Sequence, residues 1–372
     1  MRRDENGMLQ LGKDKEAIDL YLEHVDKNTK KFTSELARLR YLVEEGYYID
    51  VFELYSEDFL KEITEYVYSF NFKFQSFMAA SKFYDGYALK TKDGKTWLEN
   101  FEQHNVIVAL YLANGDEEMA KKYAKAHTLQ TLQTATPTYI NSGRKVRGEL
   151  ASCYLFTMDD TLNSIQFIKS QISQASKIAG GIAVNLSRLR ARGSSIKGIK
   201  GAAKGVLPVA KLIEGEVGYA DQMGTRAGAG AAYLHIFHYD VLEFLNAKKI
   251  NADEDLRLAT LSTGLIVPDY FYQLAKEDKD LYMFDPKSIQ DEFGEDVVLD
   301  DIEIADWYDE FVKNENIQKQ KINAREMLNL IAQIQLQSGY PYIMNKNNAN
   351  KNHALSELGE VKMSNLCKMC TL

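Results

Sequence analysis

The stretch from Leu162 to Leu186 limits the possible folds more than any other. Between Leu162 and Lys177 the apolar residues Ile165, Ile168, Ile172 and Ala175 recur on one face of a predicted helix. Gly180-Gly181 follow at once, and Ile182 to Leu186 then reads as a strand. Helix, paired glycines and strand make a βα-type unit, the building block of a parallel sheet covered by helices. On the residues alone, the glycines serve equally well to admit a ligand against the backbone or to make a tight connection.

The chain around this unit has 372 residues, of which 45% are hydrophobic and 11% aromatic, enough to bury one large core or two moderate ones. Residues 14 to about 130 alternate apolar and charged positions at helical spacing, as in Ile18-Tyr21-Leu22-Val25 and Ile63-Tyr66-Val67-Phe70. A helical domain over 1–130 is therefore expected, with the boundary to a second domain, 131–372, between Thr128 and Thr136. Tyr47, Tyr48, Tyr66, Tyr68 and Tyr84 read as core and rim packing. A net charge of −8 without a basic stripe argues against nucleic acid or an anionic membrane as partner. Three cysteines, no leader-like start and no apolar run near 18 residues point to a reducing, cytoplasmic setting.

Several segments carry candidate chemistry. Thr136-Pro137-Thr138 and Asn141-Ser142-Gly143 are two turn signals that gather hydroxyl and N–H donors suited to a phosphate. Glu149 to Phe156 reads as a strand with Ser152 and a buried-looking Cys153 in its middle, ending at Asp159-Asp160. Cys153 is either a small core hydrophobe or a nucleophile. Arg190 to Gly205 is glycine-rich with a cation every few positions, which suits a triphosphate, but it contains no GxxxxGK[ST] and so implies no ATP hydrolysis. His235 and His238 would lie on opposite faces of a strand with Asp240 beyond, and no metal site is expected. Residues 274–322 read as an acidic, helical outer layer. Tyr340 to Met344 reads as a strand leading into an asparagine-rich loop, and Cys367-Lys368-Met369-Cys370 is a CxxC pair without a second pair to complete a zinc site.

The blocks TPTYINSGRKVRGELASC, AGGIAVNLSRLRARGSSIKG, YADQMGTRAGAGAAYLHIFHYD, SGYPYIMN and the terminal SNLC together resemble the large (alpha) subunit of class Ib ribonucleotide reductase, in the family's order from about residue 10 to Cys367. The resemblance implies an N-terminal helical domain followed by the first half of a ten-stranded α/β barrel. It also implies radical reduction of ribonucleoside diphosphates to deoxyribonucleotides for DNA synthesis. Cys367 would be the thiyl radical, Asn365 a ligand of the ribose hydroxyls and Cys153 one of two reductant cysteines. Thr136, Thr138, Ser152, Cys153, Gly181, Asn365, Leu366 and Cys367 would hold the substrate. Asp160, Arg190 and Lys197 would hold an allosteric effector nucleotide (ATP, dATP, dTTP or dGTP, with Mg2+), and Arg257 would help transmit its identity. The implied partners are a second copy of the chain, a small (beta) subunit whose dimetal centre generates the radical, and a thioredoxin- or glutaredoxin-like redoxin.

The family's motif here is Asn-Leu-Cys-x-Glu, and Met369 stands in the glutamate's place. Methionine cannot accept a proton. The family chain also runs on for about as long again, carrying the partner cysteine and the tyrosine relay. The 372-residue chain is therefore expected to be inactive alone, as a truncated or interrupted frame or as half of a split enzyme whose second chain supplies the rest. The alternative is an inert fragment that still binds nucleotide.

Overall fold

The computed structural model describes residues 2–3, 9–10, 14–146, 148–178, 180–220 and 228–365. The chain divides into two units, Met1–Ser152 and Cys153–Leu372. In the first, a short antiparallel pair, β1 (Arg2–Arg3) and β2 (Leu9–Gln10), precedes α1 (Lys15–Lys27), α2 (Glu35–Glu44), α3 (Glu57–Tyr68), α4 (Phe77–Gly86), α5 (Phe101–Ala113), α6 (Glu117–Thr128) and α7 (Thr136–Asn141). Most of these helices start where the sequence offers a side-chain oxygen to the otherwise unpaired first amides. Ser34, Ser56, Ser76 and Asp116 cap α2, α3, α4 and α6, while Asn100 and Gln103 form a reciprocal capping box on α5. Leu39, Leu42, Leu60, Ile63, Val67, Ile107 and Leu110 form one core. Val25, Phe83, Tyr84, Trp97, Phe101 and Tyr139 form an aromatic second one. Of the five tyrosines expected to pack, Tyr48 and Tyr84 are buried, whereas Tyr68 is exposed.

Glu99, on the loop before α5, is fully buried in this unit. It accepts hydrogen bonds from the Arg144 guanidinium at 2.8 Å, the Leu89 amide at 2.6 Å and the Tyr48 hydroxyl, with His104 Nδ1 at 2.9 Å. Burial alone would raise this carboxyl, but Arg144 and His104 beside it hold it well below the usual carboxylate range.

The second unit is built on a parallel five-stranded sheet in the order β3-β4-β5-β6-β9: β3 (Cys153–Thr157), β4 (Gly181–Asn185), β5 (Gly230–His235), β6 (Ser262–Val267) and β9 (Tyr342–Asn345). The connections carry α8 (Leu162–Lys177), α9 (Val206–Tyr219), α10 (Val241–Asn246), α11 (Asp269–Lys276), α12 (Pro286–Phe293), α13 (Ile304–Lys313) and α14 (Ala324–Ser338), with α15 (Lys346–Asn352) after β9. An antiparallel pair, β7 (Asp280–Phe284) and β8 (Lys319–Asn323), lies between α11 and α14. The expected helical part followed by a parallel α/β part is thus what forms.

Alternation along the strands divides the sheet into two faces. Ile182, Val184, Leu234, Leu265 and Val267 pack against Ile172, Leu207, Ile213, Phe271 and Met327 in the main core. Ala183, Ala231, Tyr233, Ile266 and Met344 line the other face, called the inner face below. Small residues there let backbone approach closely, and a Cβ on Gly264 would stand 2.3 Å from the Tyr233 ring.

Four local expectations are corrected. Thr136-Pro137-Thr138 opens a short helix and not a turn, because a proline in the first turn loses no hydrogen bond. β3 begins at Cys153 and not near Glu149, since the carbonyls of Glu149 and Leu150 accept from Asn141 Nδ2 and Thr138 Oγ1, both at 3.0 Å. Residues 274–322 are more than an outer layer, for Leu281, Met283, Phe284, Ile289, Leu299, Ile304 and Phe311 are completely buried. Their charges occupy the solvent side of amphipathic elements. The asparagine-rich stretch is the helix α15, which tertiary contacts hold against its low propensity: Lys346 Nζ donates to the Ile302 carbonyl at 2.9 Å and the Asn350 amide group clamps Val361.

Candidate functional site

Two constellations gather the site residues of the second unit. The first lies on the inner face. Cys153 and Gly181 open β3 and β4 and are register partners, and alternation turns Cys153 toward the face that Ala183 and Tyr233 line. Cys153 is exposed, not buried as its sequence setting suggested, because β3 is an edge strand and its neighbour on that face, Leu155, is also exposed. An exposed thiol is open to exchange with another sulfur, which a core cysteine is not.

Across this face runs the extended segment Val361–Asn365, with Met363 packed on the inner-face cluster. The Asn365 side chain donates from Nδ2 to the Gly181 carbonyl at 3.2 Å, and the Asn365 main-chain carbonyl accepts from the Tyr233 hydroxyl at 3.1 Å. Burial pushes the Tyr233 hydroxyl up to about 12, so it remains a neutral donor. Asn365 is thereby held one strand away from Cys153. Leu366, Cys367, Met369 and Cys370 lie outside the described residues.

Thr136, Thr138 and Ser152 belong to the first unit. Thr136 Oγ1 lies 3.2 Å from the Tyr87 hydroxyl, and Thr138 Oγ1 donates to the Leu150 carbonyl as above. Ser152 is half-buried and immediately precedes Cys153 in the chain.

The second constellation surrounds the loop after β4. Three aspartates from three different elements accept three consecutive amides: Asp160 takes Arg190 N at 3.1 Å, Asp285 takes Ala191 N at 2.8 Å, and Asp240 takes Arg192 N at 3.0 Å. Asp240 also takes Val206 N at 3.0 Å, so one carboxylate closes both ends of the glycine-rich loop. A Cβ on Gly205 would meet that carboxylate at 2.3 Å, and Gly205 has φ +77°, two reasons for glycine there. Asp285 doubles as the cap of α12. Both ring nitrogens of His238 are engaged: its Nδ1 accepts from Asp240 N at 3.0 Å, so Nε2 carries the proton and donates to the Leu189 carbonyl at 2.8 Å. Among the described residues no group of three or more His, Cys, Asp or Glu is arranged to hold a metal ion.

Asp160 and Arg190 meet directly, Nε to Oδ2 at 2.7 Å, and Arg190 also donates to the Ser195 carbonyl at 2.7 Å. Burial raises the Asp160 carboxyl even against the pull of Arg190. Both line a cleft of about 340 Å³ together with Asp159, Thr161, Arg188 and Lys287. Lys197 is elsewhere on the same loop, exposed at the tip of a tight turn in which Ile196 and Ile199 exchange both backbone hydrogen bonds. Arg257 is exposed, with its carbonyl fixed by Lys211 Nζ at 2.7 Å. A larger hollow of about 700 Å³ is lined by Leu207, Tyr239, Asp240, Glu243 and Lys249, but its buried acid, Asp240, is already committed to backbone amides.

Residues 151–370 match the family described as "Ribonucleotide reductase, barrel domain". This chain belongs to the ribonucleotide reductase large-subunit family. Residues 1–72 match "Ribonucleotide reductase N-terminal" and 73–147 match "Ribonucleotide reductase, all-alpha domain". The chain is 48% identical over 364 residues to the ribonucleoside-diphosphate reductase subunit alpha of Bacillus subtilis (strain 168), covering 97% of this chain and 52% of that one. It is 46% identical to the ribonucleoside-diphosphate reductase nrdEB subunit alpha of Bacillus phage SPbeta, covering 97% of this chain and 33% of that one. For the subunit alpha of Mycoplasma genitalium (strain ATCC 33530 / DSM 19775 / NCTC 10195 / G37) the identity is 43%, with 95% and 49% covered. The chain thus spans about half the length, or less, of the curated relatives it matches.

Residues that sequence reasoning did not select are Tyr233, Asp285 and Asp300, the last fully buried with its Oδ2 accepting from Asn185 Nδ2 at 2.8 Å. Asp285-Pro286 had a readable signal as a helix start. Tyr233, in a run of small residues, and Asp300, in an acidic run, had none.

Proposed function

We propose that this chain forms the nucleotide-handling part of a ribonucleoside-diphosphate reductase alpha subunit. The observation that carries the reading is the convergence of Cys153, Gly181 and Asn365 on one face of the sheet, with Asn365 anchored to Gly181 and the Cys153 thiol open to solvent. An asparagine amide can both donate to and accept from vicinal ribose hydroxyls. In this reading Thr136, Thr138 and Ser152 offer hydroxyls to the substrate phosphates, and Leu366 and Cys367 are substrate-binding residues as well. Cys367 takes the 3′ hydrogen atom as a thiyl radical and later returns it. The 2′ hydroxyl leaves as water, and Cys153 with a second cysteine supplies two electrons by closing to a disulfide that a redoxin reopens. The radical-generating small subunit supplies the initiating electron hole.

The cleft of Asp160 and Arg190 is read as the effector site, and Lys197, elsewhere on the same loop, as a further cation for the effector's phosphates. An effector triphosphate carrying Mg2+ would compete with Asp160 for the Arg190 guanidinium. Because all the groups of this cleft lie among the described residues, nucleotide binding is expected of the 372-residue polypeptide even where turnover is not. This second reading is a binding fragment that turns nothing over. Calorimetric titration with dTTP tests it: binding should weaken about 10-fold or more in Arg190→Ala, in line with a lost charged hydrogen bond. Equal affinity in both proteins would refute the assignment. In a full-length subunit, Cys153→Ser should keep the fold and lose redoxin-dependent turnover. A wild-type rate would remove Cys153 from the reaction.

A further inference from the structure

Arg188 belongs to the wall of the Asp160–Arg190 cleft and is linked to the inner-face segment through Asp301 and Lys362. It lines the cleft with Asp160 and Arg190, and its Nη1 donates to Asp159 Oδ1 at 3.1 Å on the cleft side. Its Nε is shared by both oxygens of the buried Asp300 at 3.0 and 3.2 Å. Its Nη2 donates to Asp301 Oδ2 at 2.8 Å, and the other oxygen of Asp301 pairs with Lys362 Nζ. Lys362 lies three residues before Asn365 on the segment that crosses the inner face. One guanidinium thus contacts the cleft, and one carboxylate beyond it holds Lys362 on the segment that carries Asn365.

The three bonds of Arg188 are unequal. The Asp159 side chain is 62% exposed, so water replaces that bond at little cost, whereas Asp300 has no exposed surface and holds Nε firmly. The network sets two cations against three carboxylates and therefore carries excess negative charge. An anion entering the cleft meets Asp159 as a like charge and Arg188 as a donor, so Arg188 exchanges its weakest bond first. With Nε fixed on Asp300, turning Nη1 toward the anion carries Nη2 with it, because the guanidinium is planar and rigid. The bond to Asp301, and through it the hold on Lys362, changes in step.

Resting on the effector reading of the cleft, we infer that Arg188, Asp301 and Lys362 form a relay through which a polyphosphate bound in the cleft alters the order of Val361–Asn365. Reciprocity follows: whatever orders that segment changes the affinity of the cleft by the same factor. Arg188, Asp301 and Lys362 are positioning residues in this scheme, acting on Asn365 without touching substrate.

Hydrogen exchange of the peptide containing residues 353–365 in the 372-residue chain, with and without saturating dTTP or inorganic triphosphate, tests the relay. Wild type should show about a fivefold change in exchange on ligand addition, the lower range of ordinary coupling. Asp301→Asn should still bind dTTP by calorimetry but lose the exchange response. Lys362→Met should lose it too, and Lys362→Arg, which keeps the charge, should retain it. These two variants preserve the test if Asp301→Asn fails to fold. A response of equal size in Asp301→Asn and Lys362→Met would overturn the relay and leave the cleft reading intact. Absence of nucleotide binding to wild type would overturn both.

Discussion

Glu99 and Asp300 are carboxylates without exposed side-chain surface, one in each unit, and their surroundings differ in a way that separates two uses of a buried charge. Glu99 is enclosed by donors that are themselves buried: Arg144, His104 and Tyr48. Of that cluster only the Arg144 side chain reaches solvent, at 10% exposure, so the cluster's charge serves to lock α5 and the segment after α7 into one arrangement. Asp300 is held by Arg188, whose side chain is 22% exposed and continues to the wall of the cleft. A buried acid with a buried counter-ion makes a rigid joint. A buried acid whose counter-ion reaches a cleft makes a joint that an arriving anion can sense.

The largest effect expected from this contrast is in Glu99→Ala. Removing the acid strands a buried guanidinium, which ordinarily costs about 3–5 kcal/mol. Denaturant unfolding of the 372-residue chain should show that loss as a lower midpoint, and a loss below about 1 kcal/mol would mean that the cluster is not the joint described. Asp300→Ala should cost less, about 1–3 kcal/mol, because Arg188 keeps Asp159, Asp301 and access to water. If Asp300→Ala proves the more damaging, the contrast between closed and open joints is wrong.

A smaller, graded effect is expected with pH. Burial, reinforced by Lys346 and His238, holds the His235 ring well below its ordinary value near 6.5, and burial with His104 lowers His127. A depressed histidine is neutral in the fold, so its contribution is complete above about pH 6.5 and declines as pH falls. Glu99 has the same sign at lower pH, present above the ordinary carboxylate value near 4.5 and declining below it. Unfolding midpoints followed from about pH 7 to about pH 4 should fall in two stages. Glu99→Ala should flatten the lower stage alone, and flattening of the upper stage instead would assign the histidine limb to the wrong groups.

Much of this molecule was readable along the chain. The helix over 162–177, the paired glycines and the strand after them appear with nearly the expected bounds as α8 and β4, since period and glycine punctuation act within a few residues. Asp160 and Arg190 lie 30 positions apart and form an ion pair, a contact that local pattern does not encode. The environment of Cys153 was misjudged because exposure depends on which strand forms the edge of a sheet, which local pattern does not encode. Asn350 and Lys346 show the same limit, for a stretch with loop-like composition became a helix through contacts with Val361 and Ile302.

The sequence by itself determined the order of helical and parallel α/β parts, the family and the residue types available for chemistry, because periodicity, capping residues and motif blocks are local properties. Only the tertiary structure decided that Asp160, Asp285 and Asp240 hold three successive amides, that Tyr233 and Gly181 hold Asn365 one strand away from Cys153, and that Arg188 joins the cleft to Lys362 through Asp301. Each of these pairings links residues about 30 to 180 positions apart. Hydrogen bonds and ion pairs act over a few ångströms of space, and chain distance leaves no trace of them in composition or spacing.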